Sequence, residues 1–159
     1  MMRNTFLRLS FLVSIALLSA CSRPDFNLVE GGVVRLSDNQ DKWVIINYWA
    51  EWCKPCLDEV PELNEFYAQV DGKLLFYSIS YDKDSNEALA EQKKKYGMEY
   101  PIIATDPAPR INIPRPNALP ANYLIAPDGK TYGPILGPQD AQSMVALFEK
   151  HQREWMAAR

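Results

Sequence analysis

The chain has 159 residues, of which 47% are hydrophobic, and its 17 basic and 20 acidic side chains give a formal net charge of -3. This length favours one domain, and the lack of a basic surplus argues against a protein that binds nucleic acid. The composition excludes a disordered chain, a collagen and a multi-span membrane protein. One histidine argues against a metal site built from histidines, and three cysteines are too few for a disulfide-stapled scaffold.

The first 20 residues have the layout of an export signal. Two arginines supply positive charge, and the apolar stretch 9–18 that follows is too short for a comfortable transmembrane helix. Small residues then precede Cys21. We therefore predict a signal peptide over residues 1–20.

The ending Leu18-Ser19-Ala20-Cys21 resembles the lipobox of bacterial lipoproteins, in which the cysteine receives diacylglycerol and becomes the first mature residue. This resemblance implies a lipid anchor at Cys21, a tether over residues 21–27 and a domain over residues 28–155. By resemblance to Gram-negative sorting signals, the serine after Cys21 favours the outer membrane over the inner one. The alternative is an ordinary signal peptide or an uncleaved anchor, with Cys21 as a bystander.

The chain after the tether begins with a predicted hairpin and a predicted buried strand. Segments 26–29 and 33–36 flank a Gly-Gly pair that suits a hairpin turn. The run Trp43–Trp49 is almost entirely apolar and rich in β-forming residues, as in a strand buried on both faces. Apolar residues at three- and four-residue spacing then predict a helix over 57–70, which Pro61 should kink.

The second half of the chain continues to alternate strands and helices. The predicted elements are, in order, strand 74–80, helix 85–96 closed by Gly97, short strand 102–105, strand 121–126, strand 131–136 and a last helix opened by Gly137 and Pro138, with Trp155 on its apolar face. Residues 106–120 contain too much proline for a regular helix and predict an ordered loop. Alternation of strands and helices favours a parallel core, while the Pro-Asp-Gly-Lys turn at 127–130 adds an antiparallel edge. The fold class is therefore α/β, with a mixed central sheet flanked by helices and an N-terminal β-hairpin extension.

A Cys-x-x-Cys motif, Trp52-Cys53-Lys54-Pro55-Cys56, stands where the first long strand gives way to a helix. Unpaired backbone N–H groups and the positive end of the helix dipole favour a thiolate at this place. We expect Cys53 to be exposed and to attack a partner disulfide, and Cys56, one turn deeper, to resolve the mixed disulfide. The oxidising compartment beyond the cytoplasmic membrane suits such a redox pair.

Two other interpretations of the pair are a structural disulfide and half of a Cys₄ zinc site. A disulfide that spans three residues closes a very small loop and would stabilise the fold little. A zinc ion would need at least two further ligands, and only His151 and Cys21 remain outside the pair. We assign His151 no role and predict no metal and no cofactor beyond the cysteine pair itself.

Residues 44–61, VIINYWAEWCKPCLDEVP, look like the thioredoxin-like proteins of the TlpA/ResA type, whose pattern is roughly N-[FYLW]-W-A-x-W-C-x-x-C-x-x-E-x-P. The similarity covers about residues 26–150. It implies a thioredoxin fold and membrane-tethered thiol–disulfide exchange outside the cytoplasm, often in the direction of reduction, for example of apocytochromes during cytochrome c maturation, or in cell redox homeostasis.

The resemblance also implies roles for individual residues. Glu59 matches the family's acidic residue, which could relay a proton to or from the Cys56 sulfur; the alternative is an exposed glutamate favoured by the helix dipole. Asn47 stands where ordinary thioredoxins carry a buried aspartate. Pro120 matches the family's cis-proline, which borders the substrate groove; the alternative is one more trans proline in a proline-rich loop.

The chain departs from the family pattern beside this proline. Leu119 replaces a small or β-branched residue, Ala121-Asn122 replaces the common Thr-Thr, and residues 106–116 lack the short helix expected there. We expect Trp52, Leu119 and Pro120 to form the substrate-binding surface.

We predict a thiol–disulfide oxidoreductase of the protein disulfide reductase type. Its partners would be protein thiols and disulfides, an upstream membrane or periplasmic thiol donor, and the membrane that holds the Cys21 lipid, and we expect the chain to be a monomer. The alternative is a non-catalytic lipoprotein that binds a partner or copper through Cys-x-x-Cys, although the motif offers no added Met or His ligand. A peroxidase lacks support, since the cysteine stands in a Trp-Cys-x-x-Cys frame and not in a Thr-x-x-Cys one.

Overall fold

Residues 23–70 and 72–159 are described by the structure, a computed structural model. The predicted signal peptide and the predicted lipidation site Cys21 therefore lie outside the described residues. Within the described part of the chain, no helix is both long enough and apolar enough to cross a membrane.

Seven strands and four α-helices make up the described elements, apart from a short 3₁₀ turn at Leu36–Asn39. The strands are β1 (Phe26–Asn27), β2 (Val33–Val34), β3 (Trp43–Trp49), β4 (Leu74–Ser80), β5 (Ile102–Ile103), β6 (Ala121–Ile125) and β7 (Thr131–Leu136). The helices are α1 (Lys54–Asp58), α2 (Val60–Gln69), α3 (Asn86–Tyr96) and α4 (Ala141–Ala157). Each predicted strand and helix is present, and most strands are shorter than their predicted segments.

The main sheet has five strands in the order β5-β4-β3-β6-β7. Strands β3, β4 and β5 run parallel, whereas β6 is antiparallel to β3, and β7 is antiparallel to β6. The predicted mixed sheet is therefore confirmed. Its parallel part arises because helices connect those strands, and its antiparallel edge arises from the tight turn between β6 and β7.

Strand β3 lies at the centre of the sheet, and all seven of its residues are buried. Alternate residues face opposite sides, because side chains in a strand alternate with a period of two. Ile45 and Trp49 belong to the core cluster under the helices, while Val44 and Ile46 belong to the cluster on the other face. A strand buried on both faces requires the nearly continuous apolar run that the sequence shows.

The helix predicted over 57–70 is two helices, α1 and α2, that meet at Glu59. The predicted kink is thus a full break. Pro61 lies in the first turn of α2, where a residue without an N–H group leaves no helical hydrogen bond unmade. The break turns the buried face of α2, with Leu63 and Phe66, onto the sheet.

Helix α3 begins and ends as the sequence predicts. The Ser85 hydroxyl accepts a hydrogen bond from the Ala88 N–H, and Gly97 ends the helix with a φ of 66°. The prediction for the last helix is wrong at its start, because α4 begins at Ala141 and not at Pro138. The cap is Asp140, whose side chain accepts a hydrogen bond of 2.6 Å from the Ser143 N–H.

The predicted N-terminal hairpin, β1 and β2, pairs antiparallel and lies along the β5 edge of the main sheet. The Val29 N–H donates to the Ile102 carbonyl at 2.9 Å, and the Ala104 N–H donates to the Asn27 carbonyl at 2.9 Å. These bonds satisfy backbone groups that a bare edge strand would leave open to another chain. The hairpin is therefore part of the folded domain.

Candidate active site: a cysteine pair beside a buried carboxyl

Cys53 and Cys56 are joined by a disulfide at the point where β3 leads into α1. Cys53 is the N-cap of α1, and its sulfur accepts a hydrogen bond of 3.3 Å from the Cys56 N–H. Backbone N–H groups at a helix start are otherwise unpaired, so they stabilise a thiolate on Cys53 once the disulfide is reduced. The predicted location of the pair is confirmed.

Both cysteines are buried in this disulfide-bonded state, with 5% of Cys53 and 2% of Cys56 exposed. The expectation that Cys53 is exposed is wrong for this state. In this state Cys53 is bonded to Cys56 and packs in the core cluster that contains Trp49 and Val60.

Glu59 is buried as well, with 3% of the residue exposed, so the alternative of an exposed glutamate is wrong. Its Oε1 accepts a hydrogen bond of 3.1 Å from the Asn47 amide, and its Oε2 accepts one of 3.0 Å from the Gln139 N–H. Burial raises the pKa of Glu59 to about 7, although these two hydrogen bonds favour the charged form and oppose the shift. A carboxyl with this pKa can accept or release a proton at neutral pH.

Asn47 connects Glu59 to a further buried amide that the sequence analysis did not assign a role. The Asn47 Nδ2 group also donates a hydrogen bond of 3.1 Å to the Asn122 Oδ1 atom. Asn122 had drawn notice only as a departure from the family's Thr-Thr. Its contact with Asn47 depends on the pairing of β3 with β6, which places the two residues opposite each other.

Pro120 follows a cis peptide bond, Leu119–Pro120, so the predicted isomer is confirmed. Ala121 pairs with Tyr48, which brings Pro120 to the same end of the sheet as Trp49 and the cysteine pair that follows it. Leu119 is half-buried and packs against the cluster that holds both cysteines. The Pro120 carbonyl accepts a hydrogen bond from the Gly137 N–H, which fixes this segment.

Trp52 is the most exposed aromatic residue at the site, with 67% of its surface accessible. Its indole N–H donates to Asp82 at 2.7 Å, and its ring meets the edge of Tyr81 at 6.2 Å between centroids. The Arg115 guanidinium lies 3.7 Å from the centre of the Tyr81 ring and donates to the Tyr81 carbonyl. Tyr81 and Arg115 cannot be found from the sequence, because no local motif marks them.

The described residues contain no cluster of side chains that could bind a metal ion. Across residues 23–70 and 72–159, no three His, Cys, Asp or Glu side chains lie grouped so that they could hold a metal ion. His151 lies on α4, where it stacks on Tyr132 and contacts Glu154.

Comparison with known proteins agrees with this site. The model of the AhpC/TSA family matches residues 21–132. The chain belongs to the AhpC/TSA family. Its relatives within the family include a thiol-disulfide oxidoreductase ResA of Bacillus cereus, which is 32% identical over 123 residues and aligned over 77% of this chain and 70% of that one. ResA of Geobacillus thermodenitrificans is 33% identical over 131 residues, which span 79% of this chain and 74% of ResA.

Solved structures of other proteins superpose on this one. StoA from Bacillus subtilis gives a TM-score of 0.62 at 20% identity, over 75% of this chain and 90% of StoA. The pneumococcal exposed lipoprotein thioredoxin Etrx1 gives a TM-score of 0.64 at 18% identity, over 79% of this chain and 96% of Etrx1. The thioredoxin fold is therefore confirmed, and with its ResA relatives and its cysteine pair this family member is a thiol–disulfide oxidoreductase.

Proposed function

We propose that this chain is a membrane-anchored protein disulfide reductase that acts outside the cytoplasm through Cys53 and Cys56. The observation that carries the proposal is the disulfide-bonded pair at the start of α1, with the buried carboxyl of Glu59 one residue beyond that helix. The dithiol exchanges electrons by itself and needs no bound cofactor.

In the reducing direction, the Cys53 thiolate attacks one sulfur of a partner disulfide and the other partner sulfur leaves as a thiolate. Cys56 then loses its proton and attacks the Cys53 sulfur, which releases the second partner thiol. Two electrons pass to the partner, whose disulfide becomes two thiols, and the chain ends with the Cys53–Cys56 disulfide. A dithiol donor of the cell envelope reduces this disulfide again.

Glu59 takes up the Cys56 proton in this proposal. An acceptor is needed because the thiolate of a buried cysteine forms reluctantly in an apolar setting. The two acceptor bonds of Glu59 hold its carboxyl in one orientation, and its pKa near 7 suits proton exchange at neutral pH.

The substrate surface consists of Trp52, Leu119 and Pro120, which lie at the same end of the sheet as the cysteine pair. The exposed Trp52 ring offers apolar contact area, and the segment at Leu119 enters β6 beside the end of β3. An extended partner segment that carries the target disulfide fits such a surface.

The location rests on the sequence of the N-terminus. A lipid on Cys21 would hold the protein at the periplasmic side of a membrane, with the outer membrane favoured by Ser22. Arg23 is already in contact with the domain through its carbonyl, which accepts from Arg110. A tether this short keeps the catalytic domain, as a monomer, close to the lipid surface. The lipoprotein nature of Etrx1 agrees with this location.

The enzymatic proposal is tested by reduction of insulin with the full chain in detergent and dithiothreitol as donor. We expect wild type to accelerate reduction, and Cys53→Ser to lose the acceleration. Cys56→Ser should instead accumulate a mixed disulfide with insulin through Cys53. Lack of activity in wild type, or retention of activity in Cys53→Ser, would contradict the proposal.

Direction and donor need a second experiment in cells. Cys56→Ala should trap partner proteins on Cys53 as mixed disulfides that mass spectrometry identifies. In the reducing direction, the Cys53–Cys56 pair of wild type should be largely reduced in growing cells, as measured by thiol alkylation after acid quench. A pair that is fully oxidised in cells would assign the opposite direction.

The lipid anchor is tested at Cys21. Wild type should carry a diacylglyceryl group at this residue and fractionate with membranes, while Cys21→Ser should lose both. An unmodified Cys21 in the membrane fraction, read by mass spectrometry, would overturn the anchor and leave the redox proposal intact.

A further inference from the structure

A row of three polar residues crosses the centre of the main sheet. Ser78 on β4, Asn47 on β3 and Asn122 on β6 lie directly opposite one another, and all three are fully buried. Residues paired in this way share one face of the sheet, and neighbouring residues on that face belong to the core cluster that contains both cysteines. Polar side chains are costly in such a place unless they make hydrogen bonds. Asn47 Nδ2 and Asn122 Oδ1 are paired, whereas Ser78 Oγ, Asn47 Oδ1 and Asn122 Nδ2 have no hydrogen-bond partner among the described residues.

The hydrogen bonds of this row converge on the amide nitrogen of Asn47. That nitrogen lies 3.1 Å from Glu59 Oε1 and 3.1 Å from Asn122 Oδ1, so each of its two N–H groups has an oxygen to donate to. If the nitrogen and oxygen of the Asn47 side-chain amide exchanged places, the oxygen would face Glu59 Oε1 and Asn122 Oδ1. Neither the charged carboxylate nor the Asn122 oxygen can donate a hydrogen bond to it. Asn122 therefore opposes that exchange as long as its own oxygen faces Asn47.

The position of the proton on Glu59 follows from the same geometry. The Gln139 backbone N–H donates to Oε2 and has a fixed direction, so Oε2 remains an acceptor. An N–H group prefers the carbonyl oxygen of a neutral carboxyl as its acceptor, which favours a proton on Oε1, the oxygen that faces Asn47. Because the Asn47 nitrogen is a hydrogen-bond donor, the O–H group of a protonated Glu59 carboxyl has no acceptor at this position.

We propose that Asn122 is a positioning residue for the Glu59 carboxyl: by holding the Asn47 nitrogen toward the carboxyl, it favours the charged form of Glu59. The redox part of this inference rests on the proposed role of Glu59 in accepting the Cys56 proton. The positioning part rests on the contacts alone.

The other ionisable groups near Glu59 do not supply the proposed effect of Asn122 on the charged form of this carboxyl. Cys56 on α1 is the proposed proton partner, and the Tyr100 phenol has a pKa raised first by burial and then by the charge of Glu59. Glu62 on α2 and Asp140 before α4 are exposed and accept hydrogen bonds from the first N–H groups of α4. Solvent screens such exposed charges. The groups that donate hydrogen bonds to the Glu59 carboxyl are the Gln139 backbone N–H and the Asn47 amide.

The test is a titration of Glu59 in the full, disulfide-bonded chain, followed by the ¹³C signal of labelled glutamate side chains. The Cys53–Cys56 disulfide keeps the thiols out of the titration. We expect Asn122→Leu to raise the pKa of Glu59 by about one unit, a tenfold change in its acid dissociation constant, because Asn47 can then turn its oxygen toward a protonated carboxyl. Asn122→Ala removes the same acceptor with less steric demand and carries the test if the leucine variant does not fold.

The matched control is Ser78→Ala, at the other end of the polar row. It removes a buried polar group opposite Asn47 and should leave the pKa of Glu59 unchanged. If Asn122 acts on Glu59 through Asn47, Asn122→Leu should not change the pKa of Glu59 further in a chain that already carries Asn47→Leu. An unchanged or lowered pKa in both Asn122 variants, or an equal rise in Ser78→Ala, would overturn the proposal.

Kinetics of the reduced chain test the proposed catalytic role of Glu59 separately from the positioning of its carboxyl by Asn122. If Glu59 accepts the Cys56 proton, the pH at which insulin reduction reaches half its maximal rate should move upward by the same unit in Asn122→Leu. A raised pKa with an unmoved rate profile would contradict the catalytic role of Glu59 and the redox part of the inference, while the positioning of the carboxyl by Asn122 would stand.

Discussion

The buried carboxyl of Glu59 makes the stability of the protein depend on pH. Its pKa of about 7 lies above the value of 4.5 that an exposed glutamate has. Between these two pH values the folded chain binds a proton that the unfolded chain has released, so the free energy of unfolding falls as the pH rises. The difference corresponds to about 3 kcal/mol, present in full below pH 4.5 and lost as the pH rises through 7.

Glu59→Gln should remove this pH dependence, because glutamine is neutral at every pH in the range. We expect denaturant unfolding of the disulfide-bonded chain to show a stability decline between pH 4.5 and 8 that is smaller in the variant by about 3 kcal/mol. Glu65→Gln, an exposed change on the neighbouring helix α2, should retain the wild-type decline. Parallel pH profiles of Glu59→Gln and wild type would show that the carboxyl is not perturbed.

Trp52 acts at the surface, where its ring is held by Asp82 and Tyr81. Trp52→Ala should slow insulin reduction about fivefold or more through lost contact area, while the rate with a small disulfide such as oxidised glutathione should change little. Lys54→Ala, an exposed neighbour, should leave both rates within about twofold. Equal losses with both substrates would mean that Trp52 affects the thiols and not substrate binding.

Helix ends decide where the active-site elements lie. The break between α1 and α2 places Glu59 in the core, and the Gln139 N–H, two residues before α4, donates to that carboxyl. Asp140, which caps α4, directly follows Gln139, so the start of α4 lies beside the site.

Asp140→Ala should lower the stability of the chain, because the Ser143 N–H loses its acceptor. The measurement is the midpoint of urea unfolding at constant slope. Gln142→Ala, an exposed residue of the first turn, should change stability by less than about 0.5 kcal/mol. A loss of equal size in both variants would show that the capping bond contributes nothing.

At the scale of the whole molecule, the N-terminal end of the described chain covers the β5 edge of the main sheet. Beyond the hairpin bonds to β5, the Arg110 guanidinium donates to the carbonyls of Arg23 and Pro24, and its backbone N–H donates to that of Asp25. The proline-rich loop that carries Arg110 ends at the cis-proline of the active site. The start of the described chain and the proposed substrate surface are thus attached to the same loop.

Arg110→Ala should loosen this attachment without unfolding the domain. We expect backbone amides of residues 25–29 to exchange hydrogen about tenfold faster, while those of β3 keep their protection. Arg115→Ala is the matched control, since this arginine of the same loop contacts Tyr81 and not the N-terminal segment. Unchanged exchange at residues 25–29 would show that the guanidinium does not hold the segment.

Local signals predicted much of this fold and the core of the site. The apolar run of β3, the Ser85 and Gly97 boundaries of α3, and the Cys-x-x-Cys at a strand–helix junction all depend on neighbours within a few positions. Spacing also placed Glu59 next to the pair, although it could not distinguish a buried carboxyl from an exposed one. The start of α4 was mispredicted because Pro138 is a good first-turn residue, and the stronger cap, Asp140, was overlooked.

The sequence by itself determined the candidate redox chemistry of this protein, because it places two cysteines three positions apart at a predicted helix start. Only the tertiary structure decided the environment of that pair. Asn122 reaches Asn47 across 75 positions of sequence, and Gln139 reaches Glu59 across 80, through strand pairing and helix placement that no local pattern encodes. Because burial and hydrogen bonding set the pKa of a carboxyl, the proton chemistry of Glu59 belongs to the fold and not to the motif.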